Sequence, residues 1–533
     1  MDKIQAILKE NDALKARILE QENEVRKLQE AIFQIEQETK VLNDTLSEKD
    51  TEIQLLKESI TLMRAKKFGS SSEKTSVDQL ALEFFDEAEK AADLHVSEPT
   101  MAKVITRKKR TSRKEKIQDL ETEVIHYDLP ESEQVCPECQ TPLKKIHEES
   151  RETIKLYKSL IRLIEKRAVF ACPNCDYITK AAMPKLPIEG SIASPSALAQ
   201  VIVDKYANSI PLYRQSDDFA RFSLDLSRQT LANWILKSSD LLDWVYQGMK
   251  QELLRQSILH ADETTLQVLK ESGRPATSKS YMWLYQTSRY DTPVVIYEYQ
   301  ESRAGKHPKD FLKNFKGYLH VDGYSGYQGL ENITLVGCLA HVRRYFHEAF
   351  VAFGDNAKDS LTEKGLIFCH RLFQLEEESK KLDLKERLEY KIKEIKPVFE
   401  SFYQWAAELS PQALPKSRLG MAVQYALNQL PQVRNYFLDA KLDIDNNRAE
   451  RAIKPFVIGR KNWLFSNSVG GAEASARLYS IVQTCILNKI NPYAYLTDIL
   501  DKLANMTINS DTRVDRFLPW DPSIQKQYTL LKA

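Results

Sequence analysis

The chain has 533 residues, enough for roughly three to four domains, and a formal net charge of only +1. Any hold on a polyanion must therefore come from local basic patches and not from a global field. With 42% hydrophobic and 28% charged residues the composition reads as soluble and globular, and no apolar run is long enough to cross a bilayer as a helix. Seven cysteines in a chain this size do not make a disulfide scaffold, and the polar, helix-patterned start reads as no export signal, so a reducing compartment is expected.

Residues 1–65 read as a coiled coil. With Ile4 at position a, the a series runs Asn11, Ile18, Val25, Ile32, Thr39, Leu46, Ile53 and Ile60, and the d series Ile7, Leu14, Gln21, Leu28, Ile35, Leu42, Lys49, Leu56 and Met63. Mostly β-branched residues at a favour a parallel pair, and a polar Asn11 at a can set the register. The expected partner is a second copy of the chain, along a rod about 90 Å long. A single long helix docked on its own protein is the alternative.

Lys66 to Lys74, with Gly69 and three serines, reads as a hinge. The linker over 66–118 continues into a basic run of Lys103, Arg107, Lys108, Lys109, Arg110, Arg113, Lys114 and Lys116. It suits either a solvated tether or an arm that grasps phosphates.

Over 119–190, Cys136-Pro137-Glu138-Cys139 and Cys172-Pro173-Asn174-Cys175 form two matched knuckles. Four thiolates suit one closed, tetrahedral structural zinc. Ile154–Tyr157 and Ala168–Ala171 between them read as hairpin strands. Residues 191–250 read as all-helical, with Ser194-Pro195 as a start signal. Ser227 caps a further helix whose Leu231, Trp234 and Ile235 face inward. Arg228, Gln229 and Asn233 then face out near its start, as a helix-turn-helix presents side chains to base edges. Any small helical bundle with a polar outer face is the competing reading.

From Ser257 the pattern turns to strands and suits a mixed α/β sheet over 251–348. Ile258-Leu259-His260-Ala261-Asp262 and Tyr318-Leu319-His320-Val321-Asp322 share one pattern. Laid side by side and parallel, these strands would bring two carboxylates together at one sheet end, where Mg²⁺, an oxygen-seeking ion, could be held. A short helix is predicted over Asp310–Phe315. Cys338-Leu339-Ala340-His341-Val342-Arg343-Arg344 opens another helix, with a packed Cys338 and with His341 near the active site. A Cys338, His341 and His347 metal site is conceivable but lacks a fourth ligand. Arg343 and Arg344 suit phosphates or a solvated helix face.

Residues 349–442 read as a helical insertion. The strand-and-helix core resumes over 443–475, where Glu450 is the candidate third acid, completing a two-metal site for in-line attack on phosphodiesters. Its spacing from Asn447 also permits a plain capping box. Lys454 lies one turn on, and Arg460, Lys461 and Trp463 combine cations with an aromatic, suited to DNA contact. A core-anchoring Trp463 is the alternative. The region 476–533 reads as helical, with Leu478, Ile481, Val482 and Cys485 on one face, Asn491-Pro492 starting another helix, and Cys369 and Cys485 as buried thiols.

In this order the motifs resemble the DDE transposases of bacterial insertion sequences, specifically the insertion sequence sixty-six family, over nearly the whole chain. They are Phe68-Gly69 with Ser72-Glu73-Lys74, the paired Cys-Pro-x-Cys, Leu212-Tyr213-Arg214-Gln215, His260-Ala261-Asp262-Glu263-Thr264 and Asp322-Gly323-Tyr324. Cys338-x-Ala340-His341-x-Arg343-Arg344, Asp445-Asn446-Asn447-x-Ala449-Glu450-Arg451 and Gly459-Arg460-Lys461-Asn462-Trp463-Leu464-Phe465 complete the set. One departure is Gln140, where the family usually continues with Gly.

The resemblance implies a leucine zipper, a zinc-binding domain, a helix-turn-helix and an RNase H-like core with a helical insertion, a multidomain α+β protein overall. It implies Asp262, Asp322 and Glu450 as the Mg²⁺-binding triad, and favours Asp262 over Glu263. Expected partners are double-stranded DNA, as terminal repeats and target, a second subunit, and accessory proteins of the same element. The expected location is the bacterial cytoplasm, at the nucleoid. A non-catalytic DNA-binding regulator, or a metal-dependent nuclease that cuts without joining, competes with the transposase reading.

Overall fold

The computed structural model describes residues 15, 17, 21–43, 45, 49, 53, 160–171, 178–353, 358–509 and 512–529. A helix runs through 21–43 and leaves Val25, Leu28, Ile32, Ile35 and Leu42, the predicted a and d residues, exposed along it. The hinge, the basic arm and the four paired cysteines lie outside the described residues.

Val169–Ala171 (β1) pairs antiparallel with Ile178–Lys180 (β2), Ala171 opposite Ile178. This hairpin brackets the second Cys-Pro-x-Cys in sequence. The partner of β1 is thus the stretch just after that knuckle; Ile154–Tyr157 lies outside the described residues. The hairpin falls in one compact unit, and the chain from Ala182 onward in another.

In that larger unit, Pro195–Tyr206 (α1) starts as its Ser-Pro signal predicts: the Ser194 hydroxyl accepts from Ala197 N at 3.3 Å, and Pro195 occupies the first turn, where no N–H is needed. Leu212–Arg221 (α2) and Arg228–Leu241 (α3) follow. Ser227 caps α3 by accepting from Thr230 N at 3.1 Å, with Leu231, Trp234 and Ile235 buried and Arg228, Gln229 and Asn233 exposed. Asp243–Arg255 (α4) leads into the sheet.

The central strand is Ile258–Lys270 (β3), flanked by Lys279–Thr287 (β4) and then Val295–Gln300 (β5), all antiparallel. On the other side of β3 lie Gly317–His320 (β6) and Ile333–Val336 (β7), both parallel to their neighbours. The order is therefore β5-β4-β3-β6-β7, and Ser466–Ser468 (β8) pairs parallel with the far end of β3. Gly317 opens β6 at φ +146°, where an added Cβ would lie 2.1 Å from Ser257 O; only glycine lets β6 approach β3 this closely.

Between β5 and β6 a helix spans Lys306–Phe311 (α5). It starts earlier than the expected Asp310–Phe315, because Pro308 belongs in a first turn, where its missing N–H costs no bond. Leu339–Phe353 (α6) leaves the sheet beyond β7. Leu361–Ser379 (α7), Leu384–Tyr390 (α8), Lys396–Leu409 (α9) and Arg418–Val433 (α10) follow, with no strand among them. They enclose one apolar core with α6, built on Phe346, Leu372, Phe399, Phe402, Val423 and Leu430. A π-helical turn, Lys391–Ile395, joins α8 to α9.

Asn447–Trp463 (α11) then packs on β3 and β4, and Val469–Leu487 (α12) packs on β5. Ser480 and Thr484, one turn apart on α12, accept from Tyr297 N at 2.8 Å and Val295 N at 3.1 Å. The edge strand's outward N–H groups are thereby covered, which removes a template for stray strand pairing. Leu478, Ile481, Val482 and Cys485 are buried on α12, as their spacing predicts. Pro492–Asn505 (α13) is capped by Asn491 and packs on α1, and Pro522–Tyr528 (α14) ends the described chain. No described helix is long and apolar enough to cross a membrane.

Candidate active site

The β3–β6 pairing sets the geometry. His260 lies opposite His320 in a parallel register, and Asp262 and Asp322 each follow two residues later. Parallel neighbours sit about 4.8 Å apart, so the two acids stand close, but not at one sheet end as expected: Asp262 lies within β3, which runs on to Lys270, and Asp322 lies just past the end of β6. Beneath them the two imidazoles stack, ring centres 4.2 Å apart and planes 7° from parallel. Both rings are held neutral: burial pushes His260 down to about 4, and burial followed by the repulsion that two protonated rings would feel pushes His320 well below its ordinary value.

Strand β6 itself stops at His320, so Asp322 stands in the turn beyond it. Gly323 makes that turn at φ +92°. The Asp322 Oδ1 then accepts from Tyr324 N at 3.0 Å, and Tyr425 of α10 donates to Asp322 O at 3.2 Å. The insertion therefore buttresses the second acid. On β3, Asp262 Oδ1 accepts from Glu263 N at 2.8 Å.

Glu450 arrives on the first turn of α11, and Asn446 brings it there. Asn446 is buried, donates from Nδ2 to Ala261 O at 2.8 Å, and pairs through Oδ1 with His260 Nδ1 at 3.0 Å. Since the amide nitrogen is committed to a carbonyl, its oxygen must accept, so neutral His260 carries its proton on Nδ1. Asn446 N also donates to Cys338 Sγ at 3.2 Å. The helix bearing Glu450 is thus tied directly to the strand bearing Asp262. Asn446 is also the N-cap position, although its side chain makes no capping bond. Glu450 therefore lies four residues from the cap instead of three, and the capping box weighed from sequence does not form.

The carboxylates feel one another. The Asp262 carboxyl is pushed well above its ordinary range, first by burial and then by the negative charges of Glu263, Asp322 and Glu450. Asp262, Asp322 and Glu450 together offer hard carboxylate oxygens, the donor chemistry Mg²⁺ takes. Glu263 belongs to a different arrangement, because both its oxygens are committed. Oε1 accepts from Arg303 Nε at 2.8 Å, and Oε2 accepts from the Tyr327 hydroxyl at 2.6 Å.

Around Glu450, Cys338 Sγ, a nitrogen of His341 and a Glu450 oxygen lie within 4.8 Å of one another. His341 Nδ1 stands 3.6 Å from Glu450 Oε1. Cys338 is buried, its thiol pushed well up by burial and then by Glu450 and Asp445, so it serves as a packed acceptor for Asn446 N. His347 is exposed and is not part of the group.

The other singled-out cations spread along two faces. Arg460 Nη1 donates to Thr265 Oγ1 at 2.8 Å and Thr264 Oγ1 at 3.3 Å, just past Asp262 on β3. Lys454 is half-buried and Lys461 exposed on α11. Trp463 packs edge-on against Phe456 at 5.5 Å, with Lys205 Nζ 5.2 Å over its ring. Arg343 faces Cys369 and His370 of α7, while Arg344 stands 4.0 Å from Glu348. Arg228, Gln229 and Asn233 stay together on α3, Gln229 Nε2 donating to Asn233 Oδ1 at 3.1 Å.

Sequence reading missed Asn446, the histidine pair and Arg303 as parts of this site. The repeated His-x-Asp spacing was the available signal for the histidines; nothing in the local sequence marks Arg303.

Comparison with known proteins gives a consistent result. Residues 190–474 match the Transposase IS66 family, residues 480–520 the IS66 C-terminal element, and residues 55–125 the family described as Transposase C of IS166 homeodomain. The uncharacterized protein y4hP of Sinorhizobium fredii is 28% identical over 492 residues, 87% of each chain. The uncharacterized protein y4qI of the same organism is 30% identical over 382 residues, 67% of this chain and 68% of that one. With over half its length matched to a single family, and that stretch containing all three acids, this chain belongs to the IS66 family of transposases.

Proposed function

We propose that the protein binds the ends of an insertion sequence and catalyses Mg²⁺-dependent DNA cleavage and strand transfer, with Asp262, Asp322 and Glu450 holding two ions. One observation carries this reading: the parallel pairing of β3 with β6 sets Asp262 beside Asp322, and Asn446 ties the start of the helix bearing Glu450 to Ala261, next to Asp262. The sheet order β5-β4-β3-β6-β7, three antiparallel strands followed by two parallel ones, supports an RNase H-like core. The chemistry bound magnesium supplies is activation of an attacking hydroxyl and stabilisation of the leaving oxygen. The strand pair sets the spacing of Asp262 and Asp322. Asn446 and the packing of α11 on β3 fix the helix start that carries Glu450. The acids act first with water, releasing a 3′ end, and then with that end, which attacks target DNA; no covalent protein–DNA link is needed.

DNA binding is assigned to exposed Arg228, Gln229 and Asn233 on α3, to Arg343 and Arg344 on α6, and to Lys454, Arg460 and Lys461 on α11. Trp463 serves this face as a packed support for α11. The four paired cysteines hold one structural zinc, and the β1–β2 hairpin is suited to flank it. The exposed apolar seam of the 21–43 helix supports pairing with a second copy of the chain.

The decisive experiment uses duplex DNA carrying the sequences that flank the gene. Wild-type protein should nick and join it with Mg²⁺. Asp262→Ala, Asp322→Ala and Glu450→Ala should each lose both activities while still binding the duplex. Full activity in any of the three removes that acid from the site. Binding without cutting by the wild type indicates a regulator, and cutting without joining a nuclease.

A further inference from the structure

We propose that Arg303 is a substrate-contact residue, gripping a phosphate of the DNA strand that enters beside Asp322. This rests on the DNA-cutting reading and adds to it a contact outside the acid triad.

The argument begins with how the guanidinium is mounted. Its Nε and Nη2 donate to Glu263 Oε1 at 2.8 and 2.5 Å. Glu263 is almost fully buried, its side chain 1% exposed, and its other oxygen is held by Tyr327, so it is a rigid anchor. The guanidinium plane lies on the Tyr324 ring, with Cζ 3.9 Å from the ring centre. Tyr324 in turn is fixed to the second acid, its N–H donating to Asp322 Oδ1 at 3.0 Å, and its hydroxyl donating to Arg303 O. One edge and one face of the guanidinium are therefore fixed relative to Asp322. The remaining edge, carrying Nη1, bonds to none of the described residues, and the side chain is 42% exposed.

Neutralising a buried glutamate needs only a cation. A planar fork, stacked on an aromatic ring and with a free edge at the rim of a site, is suited to bidentate phosphate recognition. The local charge balance points the same way. Asp262, Glu263, Asp322 and Glu450 together repel a nucleic-acid backbone, and a fixed cation beside them lowers that barrier where the strand must approach. Arg460 is committed to Thr264 and Thr265, so both arginines are anchored on β3 just past Asp262.

The test uses full-length protein and the same flanking-sequence duplex, comparing Glu263→Gln alone with Glu263→Gln combined with Arg303→Ala. Removing the carboxylate charge first means that the second change leaves no unpaired buried anion. Binding is measured without divalent ions across a salt series, and Mg²⁺-dependent nicking is followed separately. A phosphate contact predicts that the slope of log affinity against log salt falls by about one on adding Arg303→Ala, with an overall loss of nicking efficiency of about tenfold or more. Arg303→Lys in the otherwise wild-type protein should keep the thermal midpoint but lose much of that efficiency. Identical slopes and nicking in the single and double variants would overturn the proposal and leave Arg303 as the counter-charge of Glu263. Wild-type protein that binds but never cuts would sink the transposase reading, while the salt slope would still decide the contact.

Discussion

Asn446→Ala tests how the third acid is held. Asn446 is 1% exposed, and its side chain makes two bonds, one from Nδ2 to Ala261 O and one through Oδ1 to His260 Nδ1. Truncation strands both partners in the interior, and each buried unsatisfied group costs about 1–3 kcal/mol. The expected loss is therefore about 2–6 kcal/mol, read as a lower urea midpoint. Asn446→Asp should be no milder. It keeps an acceptor for His260 but sets a carboxylate oxygen against Ala261 O, where a donor is required. Because α11 carries Glu450 one turn beyond Asn446, Mg²⁺-dependent nicking should fall in both variants even under conditions where they remain folded. An Asn446→Ala protein with wild-type midpoint and wild-type nicking would refute the idea that this amide ties the helix to β3.

Other consequences can be checked separately. Lys391 is buried with its ammonium 2.8–3.1 Å from the carbonyls of Asp439, Ala440 and Leu442, the segment leading to Asn446. Burial pushes its pKa from 10.5 down to about 7, so between these values the unfolded chain binds more protons and stability rises with pH. That window is worth at most about 5 kcal/mol at 1.36 kcal/mol per pH unit. Lys391→Met should abolish this rise, which urea midpoints at pH 7 and 10 will read; an unchanged pH profile contradicts the burial argument. Gly323→Ala forces φ +92° on an alanine beside Asp322, costing about 1–3 kcal/mol of local strain, and should cut nicking more than DNA binding; equal losses would point to general unfolding instead. Metal analysis of purified protein should find one zinc per chain, lost on Cys136→Ser or Cys175→Ser; retention of zinc in both variants would remove the four-thiolate assignment.

Much of this protein is written locally in its sequence. Ser194-Pro195, Ser227 and Asn491-Pro492 mark helix starts because a cap acts on N–H groups two or three residues away, within reach of short-range pattern. The two His-x-Asp strands announce themselves by their own apolar character, and their likeness to one another suggests the parallel register that brings the acids side by side. The helical insertion is equally legible, since Leu, Glu and Lys at helical spacing need no distant partner to be recognised. Tertiary structure alone decided the rest. Asn446 bonds to residues 185 and 186 positions away, and Arg303 reaches back 40 positions to Glu263, so neither role leaves a local trace. The failure of the Asn447–Glu450 capping box has the same origin, whereas the helix start at Lys306, one turn before the expected one, follows from the local Pro308. A short-range rule fixes which groups are able to bond, whereas the choice among them is made by whichever distant surface offers the buried polar atom a partner.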